Sequence, residues 1–126
     1  MTISETIAYL QQFSKSGKPV KDLSRMQSLL EELGNPQEQL RFVHIAGTNG
    51  KGSVVAYGSA AAIAAGIQTG QFTSPFVRHY QDRIQVNGTD ISDDRLCALC
   101  EQVTACHVSK ACSQFEVTLA IALLYF

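Results

Sequence analysis

Apolar side chains recur every three or four residues in two segments near the beginning of the chain, which predicts two amphipathic helices. The first is predicted over residues 4–13 and the second over residues 23–33, joined by a loop over residues 14–20. Gly34 follows the second segment, at the position where helices commonly end. The apolar positions are Ile7, Leu10 and Phe13 in the first helix, and Leu23, Met26, Leu29, Leu30 and Leu33 in the second.

A different pattern follows in the middle of the chain. Residues 40–46 form a short apolar run rich in β-forming residues, which predicts a buried parallel strand. A glycine-rich loop over residues 47–53 leads into a packed helix over residues 51–65, and residues 67–72 predict a second strand. Strand, loop, helix and strand in this order predict an α/β fold with a mostly parallel sheet flanked by helices.

The remaining part of the chain predicts a hairpin and two more helices. Residues 83–91 alternate around Asn87-Gly88, a dipeptide typical of tight hairpin turns. Ser92 is a suitable cap for a helix over residues 93–106. Residues 115–126 are almost wholly apolar, which predicts a core helix.

Composition narrows the class of protein. The chain has 126 residues, 45% hydrophobic and 17% charged, as in a globular domain. Its formal charge of -1 gives no electrostatic drive toward nucleic acid, so we expect no nucleic-acid partner. It contains neither an apolar run long enough to span a membrane nor a basic amino-terminal signal. We therefore expect a cytoplasmic protein without a membrane partner, and the oligomeric state stays open.

The four cysteines have two interpretations. Cys97-x-x-Cys100 has the spacing of a metal or redox pair, and His107 follows Cys106. However, Cys97 and Cys100 fall inside a predicted helix, whereas structural zinc sites usually place such a pair in a turn. We expect reduced thiols, some of them buried, and keep metal or redox chemistry as the alternative.

The segment Gly47-Thr48-Asn49-Gly50-Lys51-Gly52-Ser53 has the composition of a phosphate-binding loop. Its glycines allow several backbone N–H groups to converge on one anion, and the following helix points its positive end at the same place. Lys51 can reach the outer phosphates, and Ser53 adds a hydroxyl near a metal ion. The spacing differs from the common P-loop, because a glycine follows the lysine. We predict nucleotide-phosphate binding here, a glycine turn with a surface lysine being the alternative.

Five segments resemble the folylpolyglutamate and dihydrofolate synthases, which belong with the Mur ligases. They are residues 44–54 around the glycine-rich loop, Leu33-Gly34-Asn35-Pro36, Thr73-Ser74-Pro75-Phe76, Asp82-Arg83-Ile84 and Phe115-Glu116-Val117-Thr118. Two positions depart from the family's commonest pattern: many members have His where Phe76 stands and Glu where Asp82 stands.

The resemblance implies an ATP-dependent ligase that joins L-glutamate to a folate through an acyl phosphate, with ATP and Mg²⁺ as cofactors. Gly47 to Ser53 would hold the ATP phosphates, Lys51 would neutralise charge as the catalytic cation, and Ser74 would bind Mg²⁺ through its hydroxyl. Folate, glutamate and ATP would be its small-molecule partners.

Three residues have open roles. Arg83 could contact substrate or loop, or form a surface ion pair with Asp82. Glu116 stands in an apolar helix, where a carboxylate needs a partner. It could act near the metal or the phosphate loop, be a structural hydrogen-bonding group, or simply be exposed to solvent. We expect His44 to be a packed strand residue rather than a catalytic one.

The resemblance also implies that residues 1–126 match only the amino-terminal part of the ATP-binding domain. The family's later segments, including a Glu-x-Gly-x-Gly-Gly stretch that binds magnesium and a carboxy-terminal ligase domain, have no counterpart in the sequence. We therefore expect a fragment that carries the phosphate loop but no complete active site. The alternatives are a fragment of a Mur-type ligase acting on peptidoglycan precursors and a non-catalytic nucleotide-binding remnant.

Overall fold

The structure is a computed structural model that describes residues 1–13 and 23–126. The loop expected over residues 14–20 lies outside the described residues. The chain divides into two compact units, one made of Met1–Leu40 and Asp93–Tyr125 and the other of Arg41–Ser92 with Phe126. None of the helices in the described part of the chain is long and apolar enough to cross a membrane.

The described residues form five α-helices, three short strands and three 3₁₀ helices. The α-helices are α1 (Ile3–Gln12), α2 (Ser24–Glu32), α3 (Lys51–Ala64), α4 (Asp93–Thr104) and α5 (Gln114–Tyr125). The strands are β1 (Gly70–Phe72), β2 (Ile84–Val86) and β3 (Thr89–Asp90). The 3₁₀ helices are Pro36–Gln39, Tyr80–Arg83 and His107–Ala111. The helices lie within a few residues of the positions predicted for them, because their apolar periodicity and capping residues are local signals.

The first unit is helical, and its core is built from the apolar faces of α1, α2, α4 and α5. Helix α5 contributes most, since its residues from Glu116 to Leu123 are buried apart from Leu119. One face of α4, made of Leu96, Leu99, Cys100 and Val103, is buried as well. The side chains with no more than 4% of their surface exposed include Leu10, Leu29, Leu96, Leu99, Val103, Val117 and Ile121.

One charged pair connects α2 to the start of α5. Arg25 Nη2 donates to Glu116 Oε1 at 2.7 Å, and Glu116 is only 8% exposed. The same Oε1 accepts from the Ser113 backbone N–H at 3.0 Å, while the Glu116 N–H donates to Ser113 Oγ at 3.2 Å. These two reciprocal bonds form a capping box, which satisfies amide groups that the helix itself cannot pair. The carboxylate of Glu116 therefore caps the amino-terminal end of α5 and also binds α2 through Arg25.

The four cysteines are free thiols. Cys100 and Cys112 are buried, and burial raises the pKa of each to about 11, so both are neutral at physiological pH. Within residues 1–13 and 23–126, no group of three or more His, Cys, Asp or Glu side chains could hold a metal ion. Cys100 contributes to the core as a small apolar side chain.

The second unit contains α3 and an antiparallel sheet in the order β1-β2-β3. Phe72 stands opposite Ile84 in the first pair, and Gln85 stands opposite Asp90 in the second. The turn between β2 and β3 has positive φ at both Asn87 (51°) and Gly88 (79°), as a type I′ turn requires. The hairpin predicted from Asn87-Gly88 is confirmed.

Three expectations for the second unit differ from the structure. Residues 40–46 form no strand, and Phe42 and Val43 are 60% and 90% exposed. The described residues combine helices with a small sheet, as expected for part of an α/β fold, but that sheet is antiparallel rather than mostly parallel. No residue of α3 is buried, although a packed helix was expected. Residues 40–46 lack what a buried parallel strand needs, which is neighbouring strands on its edges and helices on its faces, because none of the described strands pairs with them.

Replacing Glu116 by Gln tests the pair that begins α5. The substitution keeps the shape of the side chain but removes the negative charge that faces Arg25, leaving a part-buried guanidinium unpaired. We expect the free energy of unfolding, measured by urea denaturation, to fall by about 1–3 kcal/mol. Glu101→Gln is the control, because Glu101 forms an exposed ion pair with the amino terminus and should leave the midpoint nearly unchanged. Equal midpoints for Glu116→Gln and the control would show that the pair is dispensable.

Candidate nucleotide-binding site

The backbone of the glycine-rich loop has positive φ angles at two positions, which glycine adopts more readily than other residues. Gly50, the last residue before α3, has a φ of +78°, in the left-handed region that disfavours side chains, and Gly47 also has a positive φ. A Cβ atom added at Gly50 would meet nothing within 4 Å, so the backbone conformation rather than space requires glycine there. All seven residues from Gly47 to Ser53 are exposed. The loop is therefore open to a ligand.

Helix α3 begins at Lys51 with its amino-terminal end unmasked. No side chain caps it, and its first turn contains no acidic residue. The first N–H to bond within the helix is that of Val54, which donates to Gly50 O at 3.0 Å, so the N–H groups of Lys51, Gly52 and Ser53 have no partner four residues earlier in the helix. These N–H groups, together with the helix dipole, favour an anion at this end.

The side chain of Lys51 folds back over the loop. Its Nζ donates to the carbonyl oxygen of Gly47, at the opposite end of the loop. The ammonium group therefore stays beside the loop backbone instead of extending into solvent. A phosphate held by the N–H groups of α3 would add a negative charge for which this ammonium is suited.

A second loop, residues 73–79, follows β1 and carries Ser74; we call it the Ser74 loop. The backbone N–H of Thr73 donates to the carbonyl oxygen of Arg83 at 3.0 Å, and Arg83 Nη2 donates to Ser74 Oγ at 3.3 Å. The peptide bond between Ser74 and Pro75 is cis. Arg83 thus binds the beginning of the Ser74 loop through both its backbone and its side chain.

The other half of the Ser74 loop is held by Asp82. Its carboxylate accepts from the backbone N–H groups of Val77 at 3.1 Å, Arg78 at 2.7 Å and His79 at 3.4 Å. Burial acts to raise the pKa of Asp82, but the N–H donors of Arg78, Val77 and His79 outweigh it, so the pKa lies below its ordinary value. Asp82 is therefore ionised at neutral pH and orders three consecutive residues.

Arg83 is 6% exposed, with its guanidinium carbon 5.8 Å from the centre of the Phe72 ring and 5.2 Å from that of Tyr80. These distances are typical of cation–π contacts. Within the described residues, no ion pair joins Arg83 to Asp82, and Arg83 Nε is buried without a hydrogen-bond partner. The surface ion pair considered from the sequence is therefore not the arrangement observed. Arg83 contacts the loop.

One polar cluster in this unit was missed by the sequence analysis. His79 Nε2 lies 2.6 Å from Asp90 Oδ2, and Gln85 Nε2 donates to Asp90 Oδ1 at 2.8 Å. The Gln85–Asp90 contact follows from the hairpin register and could have been predicted by extending that register to facing residues. The His79 contact depends on the path of the Ser74 loop, which carries no such pattern.

Ser74 suits one position in the coordination shell of Mg²⁺. Its hydroxyl is a hard oxygen donor on an exposed residue, and Mg²⁺ usually takes few protein ligands, completing its shell with water and phosphate oxygens. The hydroxyl oxygen retains a lone pair after accepting from Arg83. The neighbouring guanidinium repels a free cation, so the residues present fit Mg²⁺ in company with phosphate groups.

Two further residues singled out from the sequence are Glu116 and His44. Glu116 belongs to the first unit, where it pairs with Arg25 and caps α5. Its role near a metal stays a prediction, whereas its structural hydrogen bonds are observed. His44 is exposed rather than packed in a strand.

No family model matches the chain, but comparison with curated proteins finds similar proteins that are named dihydrofolate synthases or folylpolyglutamate synthases. The chain is 41% identical over 111 residues to a dihydrofolate synthase/folylpolyglutamate synthase of Bacillus subtilis, and the match covers 82% of the chain. It is 34% identical over 133 residues to the folylpolyglutamate synthase of Lacticaseibacillus casei, over 100% of the chain.

Solved structures agree with these relatives. The folylpolyglutamate synthetase from Lactobacillus casei matches over 100% of the chain with a TM-score of 0.90 and 33% identity. The chain belongs to the folylpolyglutamate and dihydrofolate synthase family. The resemblance inferred from residues 44–54 and the four other segments is confirmed.

The chain matches only part of the length of these relatives. The chain spans 26% of the Bacillus subtilis protein and 31% of the Lacticaseibacillus casei protein. Among the family's solved structures, an FPGS-AMPPCP-folate complex matches with a TM-score of 0.91 at 34% identity, with 32% of its chain covered. A Mycobacterium tuberculosis folylpolyglutamate synthase complexed with ADP and AMPPCP matches with a TM-score of 0.85 at 31% identity, with 28% covered.

Replacing Asp82 by Asn tests the carboxylate that orders the Ser74 loop. Asn keeps one acceptor oxygen but loses the charge, so we expect the free energy of unfolding at pH 7 to fall by about 1–3 kcal/mol. Because the pKa of Asp82 is lowered by folding, its stabilisation is complete above the ordinary pKa of about 3.9 and is lost as the pH falls through the lower folded value. The stability difference between wild type and variant, measured by urea unfolding, should therefore shrink below about pH 4.

The control for this series is Asp94→Asn, a change at an exposed aspartate in the first turn of α4. It should show a smaller effect at pH 7. A difference for Asp82→Asn that stays constant from pH 7 to pH 3 would contradict the role given to the ionised carboxylate.

Proposed function

We propose that this chain binds MgATP through Gly47 to Ser53 and Ser74, and that it is the ATP-binding part of a ligase that joins L-glutamate to a folate. The observation that carries the proposal is the exposed, uncapped start of α3 behind Gly50, in a chain 41% identical to a dihydrofolate synthase/folylpolyglutamate synthase. Relatives named for both reactions match the chain, so dihydropteroate is included among the acceptors that we propose.

The proposed reaction explains why a phosphate site is needed. A carboxylate is a poor electrophile, so the terminal phosphoryl group of ATP is first transferred to an oxygen of the folate carboxylate. ADP leaves and an acyl phosphate forms. The amine nitrogen of glutamate then attacks the acyl carbon, the bond from that carbon to the phosphate oxygen breaks, and the amine gives up a proton. The products are an amide and inorganic phosphate.

The residues of this chain support the first of these two steps. The N–H groups of Lys51, Gly52 and Ser53, at the uncapped start of α3, would donate to the ATP phosphates, and the Lys51 ammonium would neutralise part of their charge. Ser74 supplies a hydroxyl ligand for Mg²⁺, which when bound draws electron density from the phosphate oxygens. Donors that are already in place when charge develops stabilise a transition state at little reorganisation cost.

The experiment is a titration of the full chain with a fluorescent ATP analogue in the presence of Mg²⁺. We expect saturable binding, and we expect Lys51→Ala to weaken it by at least about tenfold, the effect of losing one charge-assisted contact to phosphate. Lys110→Ala is the matched control, since Lys110 is an exposed lysine of the other unit and should leave the affinity unchanged.

The outcomes bear on three interpretations of this chain: part of a folate ligase, a nucleotide-binding module and part of a Mur-type ligase. Failure of the wild-type chain to bind, or equal loss in Lys51→Ala and Lys110→Ala, would contradict ATP binding at this loop. Glutamate ligation, in an assay with folate, dihydropteroate, ATP and labelled glutamate, would show that this chain acts as a ligase by itself, whereas nucleotide binding without ligation is expected both of the ATP-binding part of a ligase and of a nucleotide-binding module. Ligation of a peptidoglycan precursor instead of a folate would favour the Mur-type alternative.

A further inference from the structure

Two consecutive residues hold opposite halves of the Ser74 loop. Arg83 binds the first half, through its carbonyl oxygen to Thr73 and through its guanidinium to Ser74. Asp82 binds the second half through its carboxylate, which accepts from Val77, Arg78 and His79. Hydrogen bonds at both ends restrict the conformations of the loop. The position of the Ser74 hydroxyl therefore depends on the bonds from Arg83 and on those to Asp82.

The direction of the Arg83 side chain is itself fixed. Its guanidinium lies against the rings of Phe72 and Tyr80, and Tyr80 is only 2% exposed. A planar guanidinium held against rings can direct its N–H groups only within its own plane. In the described part of the chain the group it reaches is Ser74 Oγ, and no carboxylate there neutralises it.

We propose that Arg83, supported by Asp82, is a positioning residue that presents the Ser74 hydroxyl to the metal of bound MgATP. This inference rests on the proposed function, in which Ser74 is a ligand of Mg²⁺. By donating to one lone pair of the hydroxyl oxygen, Arg83 leaves the other lone pair in a defined direction. Its positive charge also selects for a metal that arrives with phosphate, because a free cation is repelled.

The distinction between arginine and lysine makes the proposal testable. Lysine keeps the charge of Arg83 but has neither the planar group that lies against Phe72 and Tyr80 nor a fixed direction for its donors. Arg83→Lys therefore removes the positioning while preserving the electrostatics. The matched control is Arg78→Lys, since the exposed Arg78 is held by Asp82 through its backbone N–H.

The first measurement is the affinity of the full chain for a fluorescent ATP analogue, with Mg²⁺ and with EDTA. In Arg83→Lys we expect the gain in affinity from Mg²⁺ to fall at least about fivefold, while the metal-free affinity stays within about twofold of wild type. Ser74→Ala should lose the same gain. The double variant should be no worse than Ser74→Ala alone, since residues that act through one contact are not additive.

The second measurement does not depend on nucleotide. It is the amide hydrogen exchange of the peptide covering residues 73–79, followed by mass spectrometry. We expect exchange at least about fivefold faster in Arg83→Lys and in Asp82→Asn, with Arg78→Lys unchanged. Ser74→Ala, a small change at an exposed residue, removes the acceptor of Arg83 and should also speed the exchange. It replaces Arg83→Lys if that variant fails to fold.

The exchange and affinity measurements test the positioning role of Arg83 independently. Unchanged exchange in Arg83→Lys or Ser74→Ala, or independent losses of metal-dependent affinity in the double variant, would overturn the positioning role. A metal-dependent affinity equal to that of wild type in Arg83→Lys would overturn it as well. If the wild-type chain binds no nucleotide, the proposed function fails, and the exchange measurement alone then decides whether Arg83 holds the loop.

Discussion

Antiparallel pairing of β1 with β2 brings together the two ends of the connection that carries Ser74. Phe72 and Ile84 face each other at the end of the ladder, and the bond from Thr73 N–H to the Arg83 carbonyl continues it by one step. Because the strands close the loop at this point, Asp82 and Arg83 lie beside the segment that they bind. Without the pairing, neither side chain would be within reach, since the connection would be free to extend.

Buried charges are satisfied differently in the two units. In the helical unit, the carboxylate of Glu116 faces the opposite charge of Arg25 and also caps α5. In the second unit, the carboxylate of Asp82 accepts from backbone N–H groups, and the guanidinium of Arg83 contacts a hydroxyl and two aromatic rings while its Nε has no hydrogen-bond partner. The first arrangement is neutral and structural. The second leaves the guanidinium of Arg83 without a facing carboxylate among the described residues.

The start of α3, after the glycine-rich loop, also has positive partial charge that no acidic side chain of its first turn offsets. The helix begins without a capping side chain or an acidic residue, so the amide dipoles at the start of α3 are not compensated from within the described chain. A capping residue would typically stabilise such a helix by about 1 kcal/mol. Leaving the position to glycine gives up that stabilisation and keeps the end of the helix available to phosphate.

The sequence by itself determined the local features: the helices, the Asn87-Gly88 hairpin, the glycine-rich loop and the family. Each depends on periodicity, capping or a short motif, which act between near neighbours. Only the tertiary structure decided the rest. The partner of Glu116 is 91 residues away in the chain, and the contact of Arg83 with Ser74 depends on how β1 and β2 pair. The strand expected over residues 40–46 is not observed, because a strand also depends on contacts with distant parts of the chain. An apolar run specifies a tendency to be extended and buried, whereas a strand exists only where neighbouring backbone groups complete its hydrogen bonds.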